Sequence, residues 1–170
     1  MHKINRFHLY FMLFTGVILE VTVLNRIEIF GAKPDILLLL TIFTGLFFGA
    51  NKGFEAGMVS GFLYDIFTID IFGINTLVYS LTGLLAGFLN TKFFKESRVM
   101  LLFLAFFTSL FSMTLHFLFA KFLSKSLYLN LSEYLKVSAV SIGVYTALAS
   151  LIIFPPLLAF YRLNEDEDFL

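Results

Sequence analysis

The chain has no cysteine, no tryptophan and only three prolines among its 170 residues. Without cysteine it has no disulfide, no thiolate metal site and no lipidated thiol. Charge is scarce too: 14% of residues are charged, and they cancel to a net charge of zero. That balance, with no basic tract, argues against a nucleic-acid partner. Gly-x-Ser-x-Gly, a Walker loop, a dinucleotide fingerprint and His-Glu-x-x-His are all missing, so no enzymatic activity, cofactor or metal is expected. Hydrophobic residues fill the space, at 59% with 24 phenylalanines. The mean hydropathy is +0.90. Such a composition lies well above the apolar share of a soluble domain. It predicts an all-α polytopic membrane protein with one domain over residues 1–170.

A membrane span needs about 20 mostly apolar residues. Six stretches qualify: 7–24, 34–50, 53–69, 72–93, 99–122 and 131–154. The first follows Lys3 and Arg6, the charge pattern of a secretory signal, but no small-x-small site comes after it. It is expected to stay as a helix. The sixth is expected to start after a capping box at Asn130 and Glu133 and to end or kink at Pro155-Pro156. Residues 157–163 would then lie along the membrane surface, with Tyr161-Arg162 as an interface anchor, and 164–170 would be a short acidic cytoplasmic tail. If the N-terminus is cytoplasmic, seven Lys and Arg fall inside and five outside. The positive-inside rule then places both termini in the cytoplasm.

Glycine recurs every fourth residue at Gly45, Gly49, Gly53, Gly57 and Gly61, and one more step reaches Asp65. Small residues at this spacing let helix backbones approach closely in a membrane. A break at Asn51-Lys52 is expected to divide the ladder between the second and third spans. Gly83-x-x-x-Gly87 on the fourth span offers a second close-packing face. The third span inserts weakly. Its apolar side chains contribute roughly −2 to −4 kcal/mol, which Glu55 and Asp65 nearly offset. It is therefore expected at the centre of its own bundle, with the small-residue stripe docked on another span of the same chain or on a partner.

Several polar residues fall near one level: Glu20, Asp65 and His116, with Arg26, Lys33 and Asp35 flanking the outer loop. Asp65 lies about 6 Å below the end of its helix, where a carboxylate opposes the macrodipole and needs a donor. Arg26, Lys33, Asn75 or the free N–H groups around Gly73 qualify. The plain account is a structural cap across the turn; a partner contact or an ion or proton site is the sharper alternative. Glu20 is expected to pair with Arg26 or Lys33, and His116 to be hydrogen-bonded. Glu55 suits the first turn of the third span, and Pro34 and Asp35 suit the first turn of the second.

Pro34-Asp35-Ile36-Leu37-Leu38-Leu39, then Gly49, Gly53, Gly57 and Gly61, then Asp65, then Phe72-Gly73-Ile74-Asn75 form an ordered series. With Gly83 and Gly87 it resembles the rod shape-determining MreD family over about a third of the chain. The resemblance implies a multi-pass protein of the bacterial cytoplasmic (inner) membrane, without a reaction of its own. It implies work with MreC, and further with MreB, RodA and its transpeptidase partner, to support lateral peptidoglycan synthesis and cell shape. It implies a bundle similar to the substrate-binding subunits of energy-coupling-factor transporters. It also singles out Pro34, Asp35, Gly53, Gly57, Gly61, Asp65, Gly73 and Asn75 as a structural or partner-binding motif. Glu20, Arg26, Asp65 and His116 form an outer-side polar cluster. A rival reading is a small-molecule-binding membrane subunit of a transporter, which needs a cavity near the outer face.

Overall fold

The computed structural model describes residues 6–22, 34–68, 71–89, 98–124 and 140–167. They form six helices: α1 (Arg6–Thr22), α2 (Ile36–Phe48), α3 (Ala50–Phe67), α4 (Ile74–Phe88), α5 (Arg98–Ser124) and α6 (Val140–Glu167). The expected capping box at Asn130 and Glu133, and the loop cations Arg26 and Lys33, lie outside the described residues.

The centre is α2, not α3. Every residue from Leu37 to Phe48 is buried, and α2 touches all five other helices. A helix that is hydrophobic all round suits either a protein core or lipid, and here packing against every other helix puts α2 in the core. The weaker α3 sits one layer out. Phe54, Met58, Phe62 and Ile66 are exposed on its outer side, while Gly53, Ala56, Gly57, Ser60 and Gly61 are buried on its inner side. The same division runs along α1, where Leu9, Leu13, Val17 and Glu20 face inward and Phe7, Phe11, Phe14 and Ile18 face outward.

The small inner face of α3 packs on α4, the most extensive helix pair in the fold. A methyl group at Gly53, Gly57 or Gly61 would strike the backbone of Gly83, Tyr79 or Asn75 respectively. The two glycine series are therefore halves of one intramolecular seam. The ladder breaks at Gly49 and not at Asn51-Lys52, which lie within α3. Gly49 has φ 92° and ψ 172°, a conformation essentially restricted to glycine. That allows the chain to turn from α2 into α3 across one residue.

With α3 starting at Ala50, Glu55 stands beyond the first turn. Its partners, not the helix dipole, account for it. Lys52 Nζ donates to Glu55 Oε2 at 2.6 Å, and Tyr10 of α1 donates to Oε1 at 2.6 Å. The last helix does not end at its prolines, one of the two outcomes expected there. It passes through Pro155 and Pro156 and continues to Glu167. The prolines leave the carbonyls of Leu151 and Ile152 without their usual donors. Both prolines are exposed, and Phe154 and Leu157, buried on either side, anchor the helix in the bundle.

Two stretches, Leu101–Leu123 and Ile142–Ala159, are long and apolar enough to cross a membrane. Ile36–Phe48 and Ile74–Phe88 are apolar but shorter.

Candidate functional site

A helix leaves its first four N–H groups without internal partners. In α2 and α4 those groups meet three carboxylates, and the resulting polar constructions lie side by side.

The first is built on Asp65, which is buried near the end of α3. Gly73, the N-cap of α4, has φ 95° and no side chain with which to cap. Asp65 replaces it from the neighbouring helix. Its Oδ1 accepts from the backbone and side-chain amides of Asn75, at 3.2 and 2.9 Å. Its Oδ2 accepts from Gly73 N at 3.1 Å, Thr76 N at 3.0 Å and the Thr76 hydroxyl at 2.6 Å. Hydrogen bonds to an ionised acceptor are roughly twice as strong as neutral ones. This clamp closes one end of the glycine seam.

The second lies at the start of α2. Asp35 is the N-cap: its backbone is extended, and Oδ1 accepts from Leu38 N at 2.8 Å. Asp35 and Pro34 therefore precede the helix and do not occupy its first turn; Pro34 is buried just before the cap. The second Asp35 oxygen accepts from the Tyr79 hydroxyl of α4 at 2.8 Å, and Asp35 N donates to Thr146 Oγ1 of α6 at 3.1 Å. Glu20 of α1, fully buried, accepts from Ile36 N at 2.9 Å. Three helices, α1, α4 and α6, are thus tied to the start of α2.

Beside this start lies a cavity of about 190 Å³. Glu20, Asp35, Tyr64, Asn75, Tyr79 and His116 supply most of its polar wall, and Ser112 adds a hydroxyl one turn from His116. Val78, Met113 and Ile142 complete it. All six helices contribute, α2 through its cap. The Tyr64 and Tyr79 rings stack with centroids 6.3 Å apart.

Of the outer-side cluster, Glu20 and His116 share the cavity wall. Asp65 is not part of that wall and reaches it through Asn75, whose amide it holds. Among the described residues, no three His, Asp or Glu side chains converge as a metal ligand set. Sequence reasoning passed over Thr76, Tyr79, Thr146 and Ser112. The first two carry a faint signal, since 75, 76 and 79 put polar groups on the first turns of one helix. Thr146 and Ser112 carry none, because small hydroxyls are ordinary in membrane helices. Ser60 is more than a spacer: it shares a buried hydrogen bond with Thr41 of α2 at 3.0 Å.

The family model described as rod shape-determining protein MreD matches residues 1–164. No curated protein and no solved structure matches the chain.

Proposed function

The chain belongs to the MreD family of rod shape-determining membrane proteins, and from that premise we propose that it is a non-enzymatic, multi-pass component of the bacterial cytoplasmic (inner) membrane. In this reading it acts with MreC in the cell-elongation complex and supports lateral peptidoglycan synthesis. MreB, RodA and its transpeptidase partner belong to the same assembly. The family match across nearly the whole chain carries the proposal.

In this reading the chain makes six spans with both termini in the cytoplasm. α2 and α4 are the shortest helices, with 13 and 15 residues, or about 20 and 22 Å. A bilayer core is about 30 Å thick, so their starts fall within its depth. Backbone groups there need protein acceptors. Glu20, Asp35 and Asp65 supply them, each at a helix start that this topology puts on the outer side. The outward faces fit lipid: Phe103, Phe107 and Phe111 form one such row on α5. In this reading such faces and the outer rim are where partners meet the chain.

The test is replacement of a rod-shaped bacterium's own MreD with this chain alongside its cognate MreC. Co-purification of MreC and retention of rod shape are expected. Round cells and no MreC co-purification at normal membrane levels would overturn the reading.

The cavity favours a second reading, a small-molecule-binding subunit of a transporter, on a bundle similar to those of energy-coupling-factor systems. Pockets of this kind, concave with a few convergent polar groups, are where ligands bind. Mass spectrometry of the purified protein separates the two, since a vitamin-like molecule carried through purification supports the transporter.

A further inference from the structure

We propose that the cavity at the start of α2 is a binding site for a small neutral molecule bearing a carboxamide group, held by Asn75 and Ser112. The proposal stands on the cavity and these two side chains and rests on neither reading above.

Size sets the first bound. The cavity measures about 190 Å³, slightly more than the ~150 Å³ engineered cavity that admits benzene. A benzene-sized body with one small substituent fits.

Chemistry sets the second. Glu20 and Asp35 already serve the start of α2 and the Tyr79 hydroxyl, and the guest needs neither. Asn75 and Ser112 differ from them. Both line the cavity, and each is 5% exposed. A carboxylate only accepts, so Asp65 fixes which end of the Asn75 amide it meets: the nitrogen, at 2.9 Å. That leaves the Asn75 carbonyl and its second N–H to the cavity. Among the described residues, neither this carbonyl nor the Ser112 hydroxyl has a hydrogen-bond partner. The wall therefore offers a donor and acceptors together. A cation would leave the donor unused, an anion would leave the acceptors, and an apolar guest would desolvate both without replacing their bonds. A carboxamide donates and accepts at once. Its flat group suits the aromatic wall of Tyr64 and Tyr79, and Val78, Met113 and Ile142 suit the hydrocarbon portion. Asp65, which holds the Asn75 amide, is a positioning residue for this site.

The test uses the full chain in lipid nanodiscs, with empty nanodiscs as the baseline for partition into lipid. It is titrated with benzamide and with acetophenone, in which a methyl group replaces the amide nitrogen, and ligand-observed NMR reads the binding of each. Benzamide is expected to bind saturably and at least about five-fold more tightly than acetophenone. Ser112→Ala breaks no hydrogen bond of the ligand-free protein, so the thermal midpoint without ligand should stay close to wild type. The same change is expected to weaken benzamide binding about three- to ten-fold. Ser112→Leu puts a bulky side chain into the cavity and should abolish binding. The proposal is overturned if acetophenone binds as tightly as benzamide, or if neither binds above the empty-nanodisc baseline. It is equally overturned if benzamide binding survives either Ser112 substitution undiminished. The wild-type comparison decides the matter even if a variant fails to fold.

Discussion

Asp65 and Thr76 are eleven residues apart and on different helices, yet one carboxylate oxygen accepts both the backbone N–H and the hydroxyl of Thr76, at 3.0 and 2.6 Å. The donor that the start of α4 cannot satisfy for itself is satisfied from α3. Lipid tails are as apolar as leucine side chains, so burial of apolar surface does not drive helices together within a membrane. Close packing and polar contacts must do so, and here the two coincide: the glycine seam brings the backbones together and Asp65 locks one end of it.

Asp65→Ala removes the acceptor for the N–H groups of Gly73, Asn75 and Thr76 at once. An unsatisfied buried donor costs about 1–3 kcal/mol, so a loss of at least about 3 kcal/mol is expected. Thermal unfolding in detergent should show it, together with reduced accumulation in the membrane. Thr76→Val removes only the hydroxyl bond and is expected to cost about 1–2 kcal/mol. In the double variant the Thr76 effect should vanish. Additive losses would show that the two residues do not act as a unit.

Gly57→Ala is predicted to be worse than an ordinary helix substitution, although alanine is the better helix former. Its methyl group would strike the Tyr79 carbonyl, a backbone atom that cannot swing aside. Overpacking of this kind costs about 1–3 kcal/mol, more than the ~1 kcal/mol gained in propensity. Met58→Ala, one residue along on the exposed face, serves as the control and should leave the melting midpoint within a few degrees of wild type. If the two variants melt alike, the seam is not tight at Gly57.

The start of α2 separates charge from capping. Asp35→Asn keeps an N-cap acceptor, and Asp35→Ala does not; that difference is worth about 1 kcal/mol. Glu20→Leu is predicted to be the most damaging of the three, because it leaves Ile36 N without its buried acceptor. Melting midpoints in the order Asp35→Asn, Asp35→Ala, Glu20→Leu from highest to lowest are expected. A Glu20→Leu chain as stable as wild type would mean that Ile36 finds another partner.

These contacts show which parts of the fold could be read in the chain. The Asp65 clamp was legible because its parts are close in sequence: a carboxylate near one helix end, then Gly73 and Asn75 at the next start. The pairing of Glu20 with Ile36 was not, since a loop separates them and any donor near that level fits equally well. Insertion energies pointed to α3 as the central helix because they weigh each span against lipid alone. What decides the centre is how the spans pack on one another: α2 touches all five other helices, and neither its insertion energy nor the run from Leu37 to Leu40, which suits lipid as well as protein, registers that. The prolines misled for a related reason. Position 155 reads as a break in isolation, but Phe154 and Leu157 are anchored in the bundle, and no local rule registers that anchoring.

Ser109 makes the same point in reverse. It is buried on α5 and, among the described residues, its hydroxyl is the buried side-chain polar atom without a hydrogen-bond partner. Serines elsewhere in the bundle return their hydroxyls to the preceding turn, as Ser150 does to Ala147 at 2.5 Å. A desolvated hydroxyl without a partner costs roughly 1–3 kcal/mol, and replacing it by a methyl-sized group removes that cost without leaving a large void. Ser109→Ala is therefore expected to raise the thermal midpoint, by an amount corresponding to about 1 kcal/mol. Ser60→Ala, which breaks the bond to Thr41, should lower it. Measuring both in the same detergent cancels the effect of the surroundings. If Ser109→Ala is the destabilising one, the hydroxyl has a partner, such as an ordered water, and that side of α5 is wetter than its apolar neighbours imply.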